Sequence, residues 1–320
     1  MKIHLPNSAF LGNIDHFLSQ FDPVNTDVLE ITANEKWISV HPVVLAMVAA
    51  LGLTVEPAQI ICNKITAKSG HYLKRMGLFK FLQIDSGLDI SEHDSSGRFI
   101  PLTQIKNSQE LSSFITEMIP LLHLETKHSQ PIQYIISELV RNVLEHSLAE
   151  NGAIVSAQYH KKGNIIRIGI VDTGVGIKQT INQSYNATTD LDAIGLALTP
   201  GITGTTKKEG GTELNAGAGL FFIKSIAYVN RDFFIIYSGN ALYKLIKRSE
   251  TKRLALYADP FLNRHSKKEG LPSWTGTVVG IDISLDATNE FTVLLDLIRD
   301  TYMKAVKERK KARYKKAQFI

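Results

Sequence analysis

Glu138-Leu139-Val140-Arg141-Asn142-Val143-Leu144-Glu145-His146-Ser147 is the stretch on which the fold reading turns. Glu138, Asn142 and His146 recur at i, i+4 and i+8, so on a helix they share one face. Leu139, Val143 and the neighbouring aliphatics supply the buried face, and the pattern predicts a long amphipathic helix over residues 133–148. A carboxylate and an amide one turn apart suit a division of labour. The amide oxygen of Asn142 can ligate magnesium, a hard cation that prefers oxygen and retains several waters. The carboxylate of Glu138 can orient or deprotonate a nucleophile beside it.

Three further stretches extend the reading. Ile170-Val171-Asp172-Thr173-Gly174-Val175-Gly176-Ile177 delivers a carboxylate at the end of an apolar strand, followed at once by two glycines that permit a tight turn and close approach of a ligand. Asp172 can accept a hydrogen bond from an exocyclic amino group such as that of adenine. Asn215-Ala216-Gly217-Ala218-Gly219-Leu220-Phe221 is a glycine-rich turn opening into a helix, where free backbone N–H groups and the dipole favour phosphate. Trp274-Thr275-Gly276-Thr277-Val278-Val279-Gly280-Ile281 is a strand entered through Gly-Thr, with a hydroxyl at Thr277. Each signal alone has an ordinary reading: a solvated helix face, a calcium loop, helix packing.

Order and spacing together resemble the GHKL family, named for gyrase, the ninety-kilodalton heat-shock chaperone, histidine kinases and MutL, with its Bergerat ATP-binding fold. The resemblance covers residues 125–288. It implies an α/β sandwich holding ATP and Mg²⁺. By it, Asn142 ligates magnesium and Asp172 binds the adenine amino group. Gly174, Gly176 and Ile177 shape the adenine side, Gly217, Ala218, Gly219 and Leu220 receive phosphates, and Thr277 assists at the base. A lid runs from about Gln179 to Ala216, and Thr205 in it offers a hydroxyl to phosphate. Lys207 and Lys208 read as solvated loop charges. Glu138 discriminates within the family: two-component histidine kinases usually have Asn there, whereas the ATPases and the anti-sigma-factor serine kinases have Glu. The implied function is a slow ATPase, with Glu138 as general base, acting as a nucleotide-controlled switch for protein partners. The alternatives are a protein serine/threonine kinase of the anti-sigma-factor type and a non-catalytic ATP-sensing module. A protein partner is expected, and a homodimer is compatible with this reading.

Outward from this segment, residues 1–95 alternate strands (27–32, 37–40, 59–62, 79–84) with helices (42–51, 71–76), as a small α/β domain does. The run Trp37-Ile38-Ser39-Val40-His41-Pro42 into an apolar helix, then Ile60-Ile61 and Leu73-Lys74-Arg75-Met76-Gly77, resembles a STAS-type fold. The phosphorylatable Ser or Thr that anti-sigma-factor antagonists carry at that helix start is not present in Val40-His41-Pro42-Val43, so regulation by phosphorylation is not carried over. Residues 85–107 read as loop or linker and Ser108 as a helix cap, within a connecting stretch of 96–124. Residues 153–158 and 165–171 form a hairpin, and residues 174–219 a long functional loop. Residues 220–229 then form a helix, and residues 233–238, 241–247 and 276–284 form strands.

The single cysteine, Cys62, excludes an internal disulfide framework and reads as a small core residue. Residues 1–6 lack the apolar stretch of a signal peptide, and no run reaches the roughly 20 apolar residues of a membrane span. A cytoplasmic location follows as the expectation. Eight Lys or Arg and one acid lie between Lys304 and Lys316, so the net charge of +5 belongs to the tail. Residues 289–320 read as a basic helix whose first half docks through Leu294, Leu295, Leu297, Ile298 and Met303. Non-specific contact with nucleic acid is open to its end, but no base-reading motif accompanies it.

Overall fold

The computed structural model describes residues 1–24, 26–85, 99–204, 218–247, 255–286 and 291–315. The chain is mixed α+β and builds two sheets. The first half-layer comprises β1 (Lys2–Leu5), α1 (Ile14–Gln20), β2 (Leu29–Ala33), α2 (Pro42–Gly52), β3 (Ile60–Cys62), α3 (Gly70–Arg75) and α4 (Leu78–Leu82). Its three strands pair in parallel in the order β1-β2-β3, which requires crossovers, supplied by α1 and α2. Every residue of α2 is buried, as expected of a helix that is apolar all round.

Some expectations fail here. The stretch 79–84 is not a strand: Leu78–Leu82 form α4, with Leu78, Phe79 and Leu82 buried at a helical spacing, entered through Gly77 at φ +78° and ended at Gln83 at φ +57°. Of residues 37–40 only Val40 pairs, in an isolated bridge with Ala9. Cys62 is half-buried on an edge strand and not a core residue, with its thiol pushed up by burial.

The remaining elements are β4 (Phe99–Ile105), α5 (Ser108–Ser113), α6 (Thr126–His146), β5 (Ala153–His160), β6 (Ile165–Val171), α7 (Gly176–Ile181), α8 (Asp190–Ala197), α9 (Gly219–Val229), β7 (Phe234–Gly239), β8 (Ala241–Leu245), β9 (His265–Lys268), β10 (Trp274–Ser284) and α10 (Phe291–Lys315). Seven antiparallel strands lie in the order β4-β5-β6-β10-β7-β8-β9. The stretch expected as linker thus contributes β4, which pairs with β5 around an irregularity between Ile100 and Thr103, where Pro101 cannot donate to the ladder. Asn107, not Ser108, caps α5 by accepting from the Glu110 N–H at 2.9 Å. Within the expected long loop lie α7 and α8; Thr189 and Asp192 close a capping box on α8, which buries Leu191, Ala193 and Ile194.

The large sheet is covered on both faces. Ile166, Ile168, Ile170, Val279, Ile281 and Ile283 share a core with α6, α9 and α10. On the other face Ile154, Val171, Ile235 and Val278 join α2 and the small sheet in one cluster. The start of α2 lies directly on β6: a Cβ on Gly169 would stand 2.3 Å from Val43 Cα. Ser156 Oγ donates to the Pro42 carbonyl at 3.0 Å. Lys244 forms an ion pair with Asp15 of α1. On α10, Leu294, Ile298, Tyr302 and Val306 dock, whereas Leu297 and Met303 are exposed; the docking stripe follows i, i+4 spacing and extends one turn further than expected. Among the described residues no helix is long and apolar enough to cross a membrane.

His41 caps α2 beneath the large sheet. Its Nδ1 accepts from the Val43 N–H at 3.1 Å, so Nε2 carries the proton and donates to Asp282 Oδ1 at 3.2 Å. Burial holds the imidazole below its ordinary value; Asp282 opposes the shift and Arg167 adds to it. The folded state therefore holds His41 neutral while the unfolded chain protonates it at the ordinary value. Its contribution to stability is complete above about pH 6.5 and is lost as the pH falls towards the lowered folded value. His41→Ala should lower stability by about 2–3 kcal/mol through the lost cap and the lost hydrogen bond to Asp282, which keeps only Arg167 at 3.9 Å, and should flatten the acid limb. Urea unfolding at pH 7.5 and 5.5 measures both; an unchanged midpoint would show that the cap is not needed.

Candidate functional site

A cavity of about 330 Å³ opens where α6, β6, β10, α7 and the first turn of α9 converge. Helix α6 buries Ile132, Ile135, Ile136, Leu139, Val140 and Val143 on the sheet side, which turns Glu138, Asn142 and His146 to the cavity. Of the residues expected from sequence, Glu138, Asn142, Asp172, Gly176, Ile177, Ala218, Gly219, Leu220 and Thr277 line this one space. Gly174 does not. Thr205, Gly217, Lys207 and Lys208 lie outside the described residues, as does the expected lid beyond Gly204. The described part of that segment contains the packed helix α8, and Ile202, Thr203 and Gly204 of it line the cavity.

Asp172 follows the last residue of β6 and is 2% exposed. Its backbone N–H donates to the Thr277 carbonyl at 2.9 Å, and its carbonyl accepts from Trp274 Nε1 at 3.0 Å. The carboxylate Oδ1 accepts from the Gly174 N–H at 2.8 Å. Burial pushes this carboxyl up to about 7, against the stabilising N–H groups of Gly174 and Thr277. Gly174 is small for packing: a Cβ there would stand 2.0 Å from the Ser147 carbonyl oxygen. The Val175 N–H donates to that same oxygen at 2.8 Å, tying the loop to the end of α6.

At the other end, Gly219 opens α9 against α6. A Cβ on Gly219 would lie 3.0 Å from Glu138 Oε2 and 3.7 Å from Asn142 Nδ2. The start of this 11-residue helix therefore meets both side chains. Asn142 Nδ2 is buried without a hydrogen-bond partner among the described residues. Glu138 Oε1 pairs with Arg141 Nη2 at 3.1 Å. Burial raises the Glu138 carboxyl, Arg141 lowers it and Glu145 raises it further, with a net upward shift. Among the described residues no group of three or more His, Cys, Asp or Glu gathers for a metal. A divalent cation here would have Asn142 as its protein ligand and would take its other oxygens from water and ligand.

Sequence reasoning missed Ser238. Its buried hydroxyl accepts from the Ile177 N–H at 3.0 Å and donates to the Gly276 carbonyl at 2.6 Å, fastening α7 to the entry of β10. Nothing in a serine near a strand end announces that role. Ser238→Ala should cost about 1–3 kcal/mol, since two buried backbone groups lose their partner; an unaltered urea midpoint would contradict the clamp. The cavity is thus apolar at Ile170, Ile177 and Val279, carries a buried carboxyl at one end, and at the other joins a carboxylate, an amide and a helix N-terminus. No protein-family profile matches the chain, and no curated protein matches it.

Proposed function

We propose that the cavity binds magnesium ATP and that the chain is a GHKL-type ATPase serving as a nucleotide-controlled switch. The observation that carries this is the meeting of Glu138, Asn142 and the N-terminus of α9 at one end of a cavity whose other end is Asp172. The donor set suits each part of the ligand. Asp172 accepts from the adenine amino group between the apolar walls of Ile170, Ile177 and Val279. The N–H groups that open α9 have no intrahelical partner and favour phosphate oxygens. Asn142 lines this end of the cavity, its amide oxygen is the kind of donor a hard cation takes, and bound magnesium would neutralise charge on the phosphate oxygens. Glu138 takes a proton from the water that attacks the terminal phosphorus, and ADP departs. Its raised proton affinity suits a general base near neutral pH.

The layer carrying α2 favours hydrolysis, or transfer to a separate protein, over transfer to this chain's own N-terminal layer. His41 and Pro42 lie on the sheet face opposite to the one that Ile170 and Val279 present to the cavity. Incubation with ATP labelled at the terminal phosphate tests the proposal. Free phosphate supports the ATPase, and labelled partner protein with little free phosphate favours the kinase. Binding with neither product would leave only a nucleotide-sensing module.

A further inference from the structure

We propose that Trp274 is a positioning residue, and that through its contact with Phe21 the N-terminal layer sets how Asp172 is presented to the base. The inference rests on the nucleotide reading of the cavity. Trp274 opens β10 and is buried. It belongs to the core shared with the small sheet, whereas the cavity lies against the opposite face. A register shift between Trp274 and Thr277 in the pairing of β10 with β7 creates the crossing. Gly276, at φ +94°, turns the strand so tightly under Asp172 that a Cβ there would stand 2.3 Å from the Asp172 carbonyl oxygen. Such an irregularity re-aims the residues beside it. Here the indole Nε1 reaches the Asp172 carbonyl at 3.0 Å.

The other side of the indole meets the N-terminal layer. The Phe21 ring lies 5.8 Å from the Trp274 ring, tilted by 54°. Phe21 follows the last residue of α1 in an extended conformation and is itself held. The next residue, Asp22, exchanges two backbone hydrogen bonds with Lys2 of β1, at 2.8 and 3.0 Å. A continuous path therefore runs from β1 through Phe21 and Trp274 to the main chain of Asp172. Cavity-lining residues do not include Trp274 or Phe21, so neither touches the ligand. Their effect falls on the base end, because the phosphate end at Gly219 and Glu138 is built by α9 and α6.

The test compares Trp274→Phe, which keeps a ring against Phe21 and loses the N–H, with Phe21→Leu, which leaves the N–H and removes the aromatic contact. ATP and GTP affinities are read by calorimetry and turnover is read at saturation. Trp274→Phe should weaken ATP binding by up to about 10-fold, the limit reached if the whole of that internal hydrogen bond is expressed in binding. A shift in the same direction is expected for Phe21→Leu. The preference for ATP over GTP should narrow in both, with saturated turnover within about twofold of the parent, as expected for loss of uniform binding. Trp37 is the only other tryptophan, so in a Trp37→Phe background the emission of Trp274 should change on adding ADP, and Phe21→Leu should reduce that change. If Trp274→Phe does not fold, Phe21→Leu carries the test. ATP binding and selectivity unchanged in Phe21→Leu, with its Trp274 response intact, would overturn the proposal while leaving the nucleotide reading standing. Failure of the parent protein to bind ATP would remove the reading on which it rests.

Discussion

Glu138→Gln should lower ATP turnover by about 10²–10⁴-fold, the usual range for loss of a general base, with little change in magnesium-ATP affinity. The variant keeps the side-chain shape and loses the proton acceptor. Glu138 Oε2 points at the start of α9, where a Cβ on Gly219 would stand 3.0 Å away. That is the end of the cavity where Asn142 also sits. Because the Glu138 carboxyl is raised from its ordinary value, turnover should fall as the pH drops through that raised value and the base form is lost. Asn142→Ala should behave differently and weaken binding and turnover together, since the amide is assigned to the cation. Rate and affinity lost in parallel in both variants would show that the two side chains do not divide the work.

Asp172→Asn should weaken ATP by about 10- to 100-fold, the loss of one hydrogen bond to a charged acceptor, and should weaken GTP less. The Gly174 N–H already claims one acceptor oxygen at 2.8 Å. An asparagine has a single oxygen, so satisfying Gly174 turns its amino group towards the base, where adenine presents a donor and guanine an acceptor. The same carboxyl lies at about 7. ATP affinity should therefore decline as the pH falls from 8 to 6, through protonation of the acceptor, and this decline should vanish in Asp172→Asn. The stability effect has the opposite sense. A carboxyl raised on folding stabilises the fold at low pH, and this contribution is lost as the pH rises from the ordinary carboxylate range through about 7. Calorimetry across that range, beside urea unfolding, separates the two.

Elements with a strong single period were legible. The helical face of Glu138, Asn142 and His146, the hairpin of β5 and β6, α2, and α9 all follow from local pattern. Features that depend on distant partners were not. Residues 78–82 are aromatic and apolar enough to read as a strand, and only their neighbours decide that they turn as a helix. Strand β9, His-Ser-Lys-Lys, is a polar edge strand with no alternation to betray it. Pro101 argues against a strand, yet β4 is an edge strand and tolerates it. Helix α8 was hidden by the surrounding Thr and Asn, although Thr189 and Asp192 form its capping box. Nine of the expected site residues meet in the cavity. Ser238 and Trp274 act on backbone groups across the sheet, and no local spacing encodes that.

Titration of the protein with a non-hydrolysable ATP analogue and magnesium, in parallel with Asp172→Asn and Asn142→Ala, decides whether the cavity is a magnesium-ATP site. Saturable binding at one site is expected in the parent, weakened in Asp172→Asn with or without magnesium, and weakened in Asn142→Ala mainly when magnesium is present. No binding by the parent, or equal binding by all three proteins, would contradict that assignment.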